Sequence, residues 1–311
     1  MQDAQALLLL GPTASGKSAL SLEIAKRHPV EIVSIDSALV YRGMDIGSAK
    51  PTPEERAVCP HHLIDIREID EPYSAADFVE DAARLVPEIR ARGRVPLIVG
   101  GTMLYAKALR EGLNDIPTST PEVRAEVLAE GEAIGWPAMR EKLFEVDPAT
   151  AERLKPADKQ RIGRAWEVWK MTGRPLSSFH RPTTDPLFPM LSAGLLPPDR
   201  KRQHERIELR FDAMLEAGFL DEVRRLTASP RFDRESPAMR AVGYRQAIDH
   251  LFWERDYEDF RAAGIAATRQ LAKRQMTWMR SMPDLVLLDP EAPDTLAVLE
   301  EMVRRIAKGL P

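Results

Sequence analysis

One cysteine, Cys59, is all that the 311 residues contain. That rules out an internal disulfide framework and any cysteine-built zinc site, and it suits a reducing compartment. A small buried thiol is the expected role of the side chain. Long apolar runs are missing as well. The stretch Ala6 to Leu10 is the longest near the start and has no basic residue ahead of it. It is too short for the apolar core of a signal peptide or for a membrane span, so a cytoplasmic protein with no membrane partner is expected. Positive charge is not in excess: 44 Lys and Arg stand against 48 Asp and Glu, a net charge of -4, with a pI near 6.0. No global basic field announces a nucleic-acid partner. Internal repeats and low-complexity tracts are also lacking.

What is present is a globular composition, 44% hydrophobic and 30% charged, which excludes disordered, collagen-like and coiled-coil classes. The length allows about two domains, or one large α/β domain carrying an insertion. Gln5 to Leu10 reads as a buried strand that stops at Gly11-Pro12, followed by a helix from Lys17 to Arg27. A strand from Glu31 to Ile35 ends at Asp36, a loop runs from Tyr41 to His62, and a third strand is expected at Leu63 to Ile66. Ser74-x-x-Asp77 is a capping box that opens a helix closed at Gly93. Arg94 to Val99 is a further strand, turned by Gly100-Gly101-Thr102 into a helix reaching Arg110.

This alternation predicts an α/β fold with a parallel, doubly wound sheet. From Asn114 to Pro189 it stops, and the pattern is helical only, over 121–131, 136–145, 148–154 and 157–172. The expected organisation is a P-loop core of residues 1–113 and 190–311, interrupted by a helical insertion domain of residues 114–189. A strand at Met190 to Leu196 resumes the sheet. Single helices over 200–227, 241–253 and 260–281, a strand at 285–288 and a helix over 295–308 complete the chain.

Gly11-Pro12-Thr13-Ala14-Ser15-Gly16-Lys17-Ser18 matches G-x-x-x-x-G-K-S/T, with a strand before it and a helix after it. The glycines let successive amide N–H groups face inward, and the helix N-terminus adds partial positive charge, so diphosphate or triphosphate oxygens fit there. Lys17 supplies a point charge, and the Ser18 hydroxyl is placed to ligate Mg2+. Asp36, at the carboxyl end of the second strand, is the acid best placed to face this cradle. Asp65 is a weaker candidate. His61-His62 reads as a loop pair, since no third ligand stands at metal spacing.

Local charge departs from the global balance. Between Arg153 and Arg174 there are seven basic residues and two acidic ones, and between Arg261 and Arg280 five basic residues and no acid. A solvated helix face explains either run alone. Two such runs in an acidic chain point to a polyanion.

Taken in order, the segments resemble the tRNA dimethylallyltransferase family. The resemblance spans nearly the whole chain and rests on Gly11 to Ser18, Asp36-Ser37-Ala38-Leu39 with the following Tyr41 to Gly47, and Ala49-Lys50-Pro51. It continues in Gly100-Gly101-Thr102 with Tyr105, in Arg206 to Arg210 leading to Met214, Gly218 and Glu222, and in Arg240 to Gln246 and Lys273 to Arg280. The resemblance implies transfer of a dimethylallyl group from dimethylallyl diphosphate to N6 of the adenosine 3′ to the anticodon, releasing diphosphate. The P-loop amides, Lys17, Mg2+ and an arginine, Arg210 ahead of Arg206, would clamp the leaving group. Asp36 would take the proton from the amine, and Thr102 would orient the amine or a diphosphate oxygen.

Reaching a buried cradle requires the adenine to leave its stack. The residues that the resemblance places on tRNA are Asp36, Ser37, Ala38, Leu39 and Thr102, then Gln160, Arg161 and Arg164 in the insertion. Arg240, Gly243, Tyr244 and Arg245, with Lys273, Arg274, Gln275, Trp278 and Arg280, complete that set. For Trp278 and Met279, helix core packing is the expected role ahead of base stacking. Many members carry Gln where this chain has Leu39, and the zinc finger that eukaryotic members add is absent, which implies the bacterial type. A monomer is expected. Prenylation of free adenine nucleotides, a P-loop kinase acting on a small molecule, and a non-catalytic RNA-binding protein are the alternatives.

Overall fold

The computed structural model describes residues 4–180, 186–253 and 255–310. The chain divides into two compact units, Met1–Arg110 with Pro186–Pro311, and Glu111–Asp185. The first unit is built on six parallel strands, β1 (Ala6–Leu10), β2 (Val30–Ile35), β3 (His61–His62), β4 (Val95–Gly100), β5 (Met190–Leu195) and β6 (Val286–Leu288), in the order β3-β2-β4-β1-β5-β6.

β1 shows why the sheet is buried on both faces. Ala6, Leu8 and Leu10 join one hydrophobic core, with Phe78, Leu85, Ala106, Ile207, Phe211 and Phe260, while Leu7 and Leu9 join another, with Ile24, Leu299 and Val303. A period of two on a strand sends alternate side chains to opposite faces, so an unbroken apolar run needs helices on both sides. α1 (Lys17–Arg27) lies on the second face with the C-terminal helix Thr295–Ala307. α2 (Pro53–Val58), α3 (Ala75–Ala91) and α4 (Met103–Glu111) follow β2, β3 and β4. The capping box is present: Ser74 accepts from the Asp77 N–H, and Asp77 accepts from the Ser74 N–H.

The second unit holds α5 (Pro121–Ile134), α6 (Trp136–Val146), α7 (Pro148–Arg153), α8 (Lys159–Thr172) and a 3-10 turn at Leu176–Phe179. It has its own small cores, Val127 with Met139 and Ile162, and Leu143 with Ala151 and Ala165. Gly131 makes room for the Trp136 ring, which a Cβ there would overlap. The first unit then continues with α9 (Arg200–Glu216), α10 (Phe219–Thr227), α11 (Tyr244–Trp253), α12 (Tyr257–Ser281) and α13 (Thr295–Ala307). Among the described residues, no helix is long and apolar enough to cross a membrane.

Three expectations are corrected. The strand read at Leu63 to Ile66 is the two-residue β3, because Leu63 (φ 62°) and Asp65 (φ 57°) adopt left-handed backbone that cannot continue a ladder. The loop from Tyr41 to His62 contains α2, opened by the capping box Thr52 to Glu55. The single helix over 200–227 is two, broken where Gly218 takes φ 94° and caps α10.

Candidate active site

Three strands deliver the site from their carboxyl ends, where an open parallel sheet binds ligands. β1 runs into the glycine-rich loop, β2 into Asp36-Ser37, and β4 into Gly101-Thr102. In the loop, Ala14 (φ 59°) and Gly16 (φ 88°) both turn left-handed, which folds the backbone into a concavity of amides at the start of α1. Gly16 caps that helix without any side-chain bond, so its leading N–H groups face outward to a ligand.

The loop opens into a cavity of about 810 Å3 lined by Lys17, Ser18, Asp36, Ser37, Thr102 and Arg210, among others, all within the first unit. Lys17 Nζ donates to the Pro12 carbonyl at 2.7 Å. Burial and the nearby Arg210 push its pKa down to about 7, against an opposing pull from Asp36. Burial also lowers Arg210, again opposed by Asp36, though a guanidinium stays charged at any working pH. Lys17, Arg210 and Asp36 are therefore close enough in this chamber to act on one another's charge. Arg206, the second arginine of its motif, pairs with Glu291 at 2.8 Å instead.

The Asp36 turn is held from two sides. Asp36 Oδ1 accepts the Ala38 N–H at 2.8 Å. Thr102 Oγ1 accepts the Ser37 N–H at 2.9 Å and donates to Ser37 Oγ at 3.3 Å, while its own N–H donates to the Ile35 carbonyl. β2 and β4 come this close because Gly100 has no side chain: a Cβ there would overlap the Ile35 carbonyl oxygen.

Farther along, the segment 41–50 forms a wall of the cavity, and its motif residues support it. Glu222, 1% exposed on α10, accepts the N–H groups of Asp45, Ile46 and Gly47 and the Tyr244 hydroxyl. Lys50, 4% exposed, donates to the Tyr41 carbonyl, Asp45 and Asp65. Desolvation works against the Asp65 carboxylate, but hydrogen bonds from Lys50 and Arg56 hold its carboxyl below the usual range. Asp65 is thus committed to an ion pair rather than to a metal. Neither Glu222 nor Lys50 carries a site signature in the sequence beyond membership of its motif.

The residues grouped on RNA from the sequence separate into two sets. Arg240, Arg274 and Trp278 are exposed and line the cavity, with Trp278 at 39% exposure, so the expectation that it packs in the helix core is corrected; Met279 is the core residue. Ala38, Leu39 and Gly243 line the same cavity, and Arg245, Lys273 and Arg280 are exposed. Tyr244 is fully buried, edge-on against Phe219 at 5.1 Å, so its side chain supports the wall. Gln275 is buried and bonded to the glycine-rich loop. In the second unit, Gln160 and Arg161 are exposed, whereas Arg164 bonds the Pro117 carbonyl, Ser119 and Glu167 and is half-buried.

No group of three or more His, Cys, Asp or Glu able to hold a metal exists among the described residues. His62 pairs with Glu31 at 2.7 Å, and His61 faces the Cys59 carbonyl. The oxygens in the cavity, the Ser18 hydroxyl and the Asp36 carboxylate, fit an Mg2+ carried mainly by substrate phosphate and water, which is how that ion is commonly bound.

The family described as IPP transferase matches residues 39–282. Relatives include the tRNA dimethylallyltransferase of Paraburkholderia phymatum, 55% identical over 306 residues, covering 97% of this chain and 96% of that protein. The tRNA dimethylallyltransferase of Acidovorax sp. is 56% identical over 308 residues, with 96% and 95% covered. Among solved structures, the full-length tRNA isopentenylpyrophosphate transferase of Bacillus halodurans matches with a TM-score of 0.69 at 34% identity, covering 98% of this chain and 97% of that one. A eukaryotic dimethylallyltransferase caught acting on tRNA matches with a TM-score of 0.79 at 26% identity, covering 96% and 77%.

Proposed function

The chain belongs to the IPP transferase family, and from that premise we propose that it transfers a dimethylallyl group from dimethylallyl diphosphate to N6 of the adenosine 3′ to the anticodon of tRNA. The observation that carries this reading is the placing of a phosphate cradle, Lys17, Arg210 and the Asp36 carboxylate around one cavity.

The allylic C–O bond breaks and an N6–C bond forms, so negative charge grows on the departing diphosphate while the amine loses a proton. The amides of Ala14 and Gly16 to Ser18, the Lys17 ammonium and Arg210 receive that charge, while the Thr13 and Ser15 N–H groups are spent on Gln275 and the Pro12 carbonyl; stabilisation placed where charge develops is the largest single contribution in most enzymes. The phosphate raises the pKa of Lys17 again by supplying the anion that burial withholds. Asp36 takes the N6 proton as general base, and Thr102 keeps the turn bearing it in register. Mg2+ held by Ser18 and the diphosphate oxygens would add charge on the leaving group.

The acceptor adenine reaches the cavity by leaving its stack. Arg240, Arg274 and Trp278 line the opening with charge for backbone phosphates and an aromatic face for a base. Exposed Gln160 and Arg161 in the second unit, with Lys273, Arg245 and Arg280, supply further phosphate contacts. The protein works as a monomer in the cytoplasm in this reading. Incubating it with dimethylallyl diphosphate and unmodified tRNA, then digesting to nucleosides, should yield N6-dimethylallyladenosine. Recovery of unchanged adenosine alone would contradict the proposal.

A further inference from the structure

Gln275 is a buried polar side chain on a basic stretch of α12, where Lys273 and Arg274 before it and Trp278 after it are exposed. Its amide is divided between two parts of the site. Oε1 accepts the Thr13 N–H at 3.0 Å, inside the glycine-rich loop, and Nε2 donates to the Gly101 carbonyl at 2.9 Å. On the other side of the loop, Gln203 of α9 donates to the Thr13 carbonyl. Thr13 is therefore fixed through both of its peptide groups, immediately before the left-handed Ala14.

Gly101 is the partner that allows this. A Cβ there would overlap Gln275 Nε2 and would lie 3.1 Å from the Gly11 carbonyl, so the two loops pack backbone to backbone with only the glutamine amide between them. The next residue, Thr102, holds Ser37 through its hydroxyl, and Asp36 is the neighbour of Ser37. A continuous chain of short bonds thus runs from the cradle at Thr13, through one amide, to the turn that carries the carboxylate.

We propose, on the footing of the prenyl-transfer reading, that Gln275 is a positioning residue: it sets the distance between the leaving-group cradle and the Asp36 turn. It belongs to the chemical step and not to the RNA contacts among which its sequence position places it. A glutamine suits the task because its planar amide presents an acceptor and a donor together at the end of the side chain. Displacing a reacting group by about 1 Å costs on the order of 100-fold in rate.

Two variants test this, with the wild-type protein assayed beside them. Gln275→Leu removes both bonds and should lower single-turnover kcat by roughly 10- to 100-fold while leaving the KM for tRNA unchanged. Gln275→Glu keeps the acceptor for the Thr13 N–H but can donate to the Gly101 carbonyl only when its carboxyl is protonated. Its kcat relative to wild type should approach one at low pH and fall as pH rises through the pKa of the introduced carboxyl. Lys17, Asp36, Lys50, Glu55, His61, Arg210, Arg240 and Arg274 line the same cavity in both proteins, so their own titrations are common to both and the ratio reports what the introduced carboxyl changes.

A raised KM for tRNA with kcat intact would make Gln275 an RNA contact and overturn the proposal. A pH-independent ratio for Gln275→Glu would overturn it as well, and decides the matter even where Gln275→Leu does not fold. Failure of the wild-type protein to transfer at all would instead strike the prenyl-transfer reading.

Discussion

Lys17 is the residue whose environment says most about the reaction. The free protein holds it near pKa 7, well under its ordinary 10.5, yet a diphosphate needs the ammonium. Above pH 7, binding must therefore take up a proton, and affinity for diphosphate should weaken with rising pH; below pH 7 the group is already charged and contributes no slope. Titration calorimetry in buffers of different ionisation enthalpy should find that proton uptake in the wild-type protein and lose it in Lys17→Arg, whose side chain stays charged. Equal uptake in both would move the titration to another group. The same sign governs folding: the unfolded chain keeps this proton up to about 10.5 and the folded chain releases it near 7, so stability from this group rises with pH across that window. At Asp36, Asn preserves the hydrogen bond from the Ala38 N–H but cannot take a proton. Asp36→Asn should cut the single-turnover rate by about 100- to 10,000-fold with tRNA affinity unchanged, and a wild-type rate would remove Asp36 from the role of base.

Among the elements, the wall formed by residues 41–50 depends on one carboxylate from α10. Glu222→Ala leaves three partly buried N–H groups and the buried Tyr244 hydroxyl without their acceptor, and a fully buried orphan such as that hydroxyl costs about 1–3 kcal/mol. A loss of at least about 1 kcal/mol is expected from urea unfolding, and an unchanged midpoint would show that the wall is held some other way. Elements whose local signals agree were legible in the sequence: the strand β1, the P-loop and α1 follow from an apolar run, two glycines and a helical period. β3 was not, because left-handed backbone at Leu63 has no side-chain signature, and the segment is held by distant partners: the Asp65 and Ile66 N–H groups donate to the Leu39 and Val40 carbonyls, and the Asp65 carboxylate pairs with Lys50 and Arg56. Gly218 was visible, but an interior glycine costs a helix only about 1 kcal/mol, so its break needed the packing of Phe219 to declare it.

For the whole molecule, composition concealed what geometry arranges. A net charge of -4 hides exposed cations at Arg240 and Arg274 lining one cavity, and sequence spacing could not tell these from Arg164, which is spent on Pro117, Ser119 and Glu167. Arg161→Ala should therefore lower the salt slope of tRNA binding by about one unit, whereas Arg164→Ala should lower thermal stability; the opposite pattern would reverse the two roles. The carboxylate and the cradle were legible because strand ends in a parallel sheet announce where ligands bind. The supports, Gln203, Gln275, Glu222 and Lys50, were not, since their partners lie between 5 and 262 positions away. The central claim is tested most directly by offering labelled dimethylallyl diphosphate to three acceptors: tRNA with adenosine beside the anticodon, the same tRNA with guanosine there, and free AMP. Label on the first alone is the predicted result, and label on AMP, or equal label on both tRNAs, would contradict it.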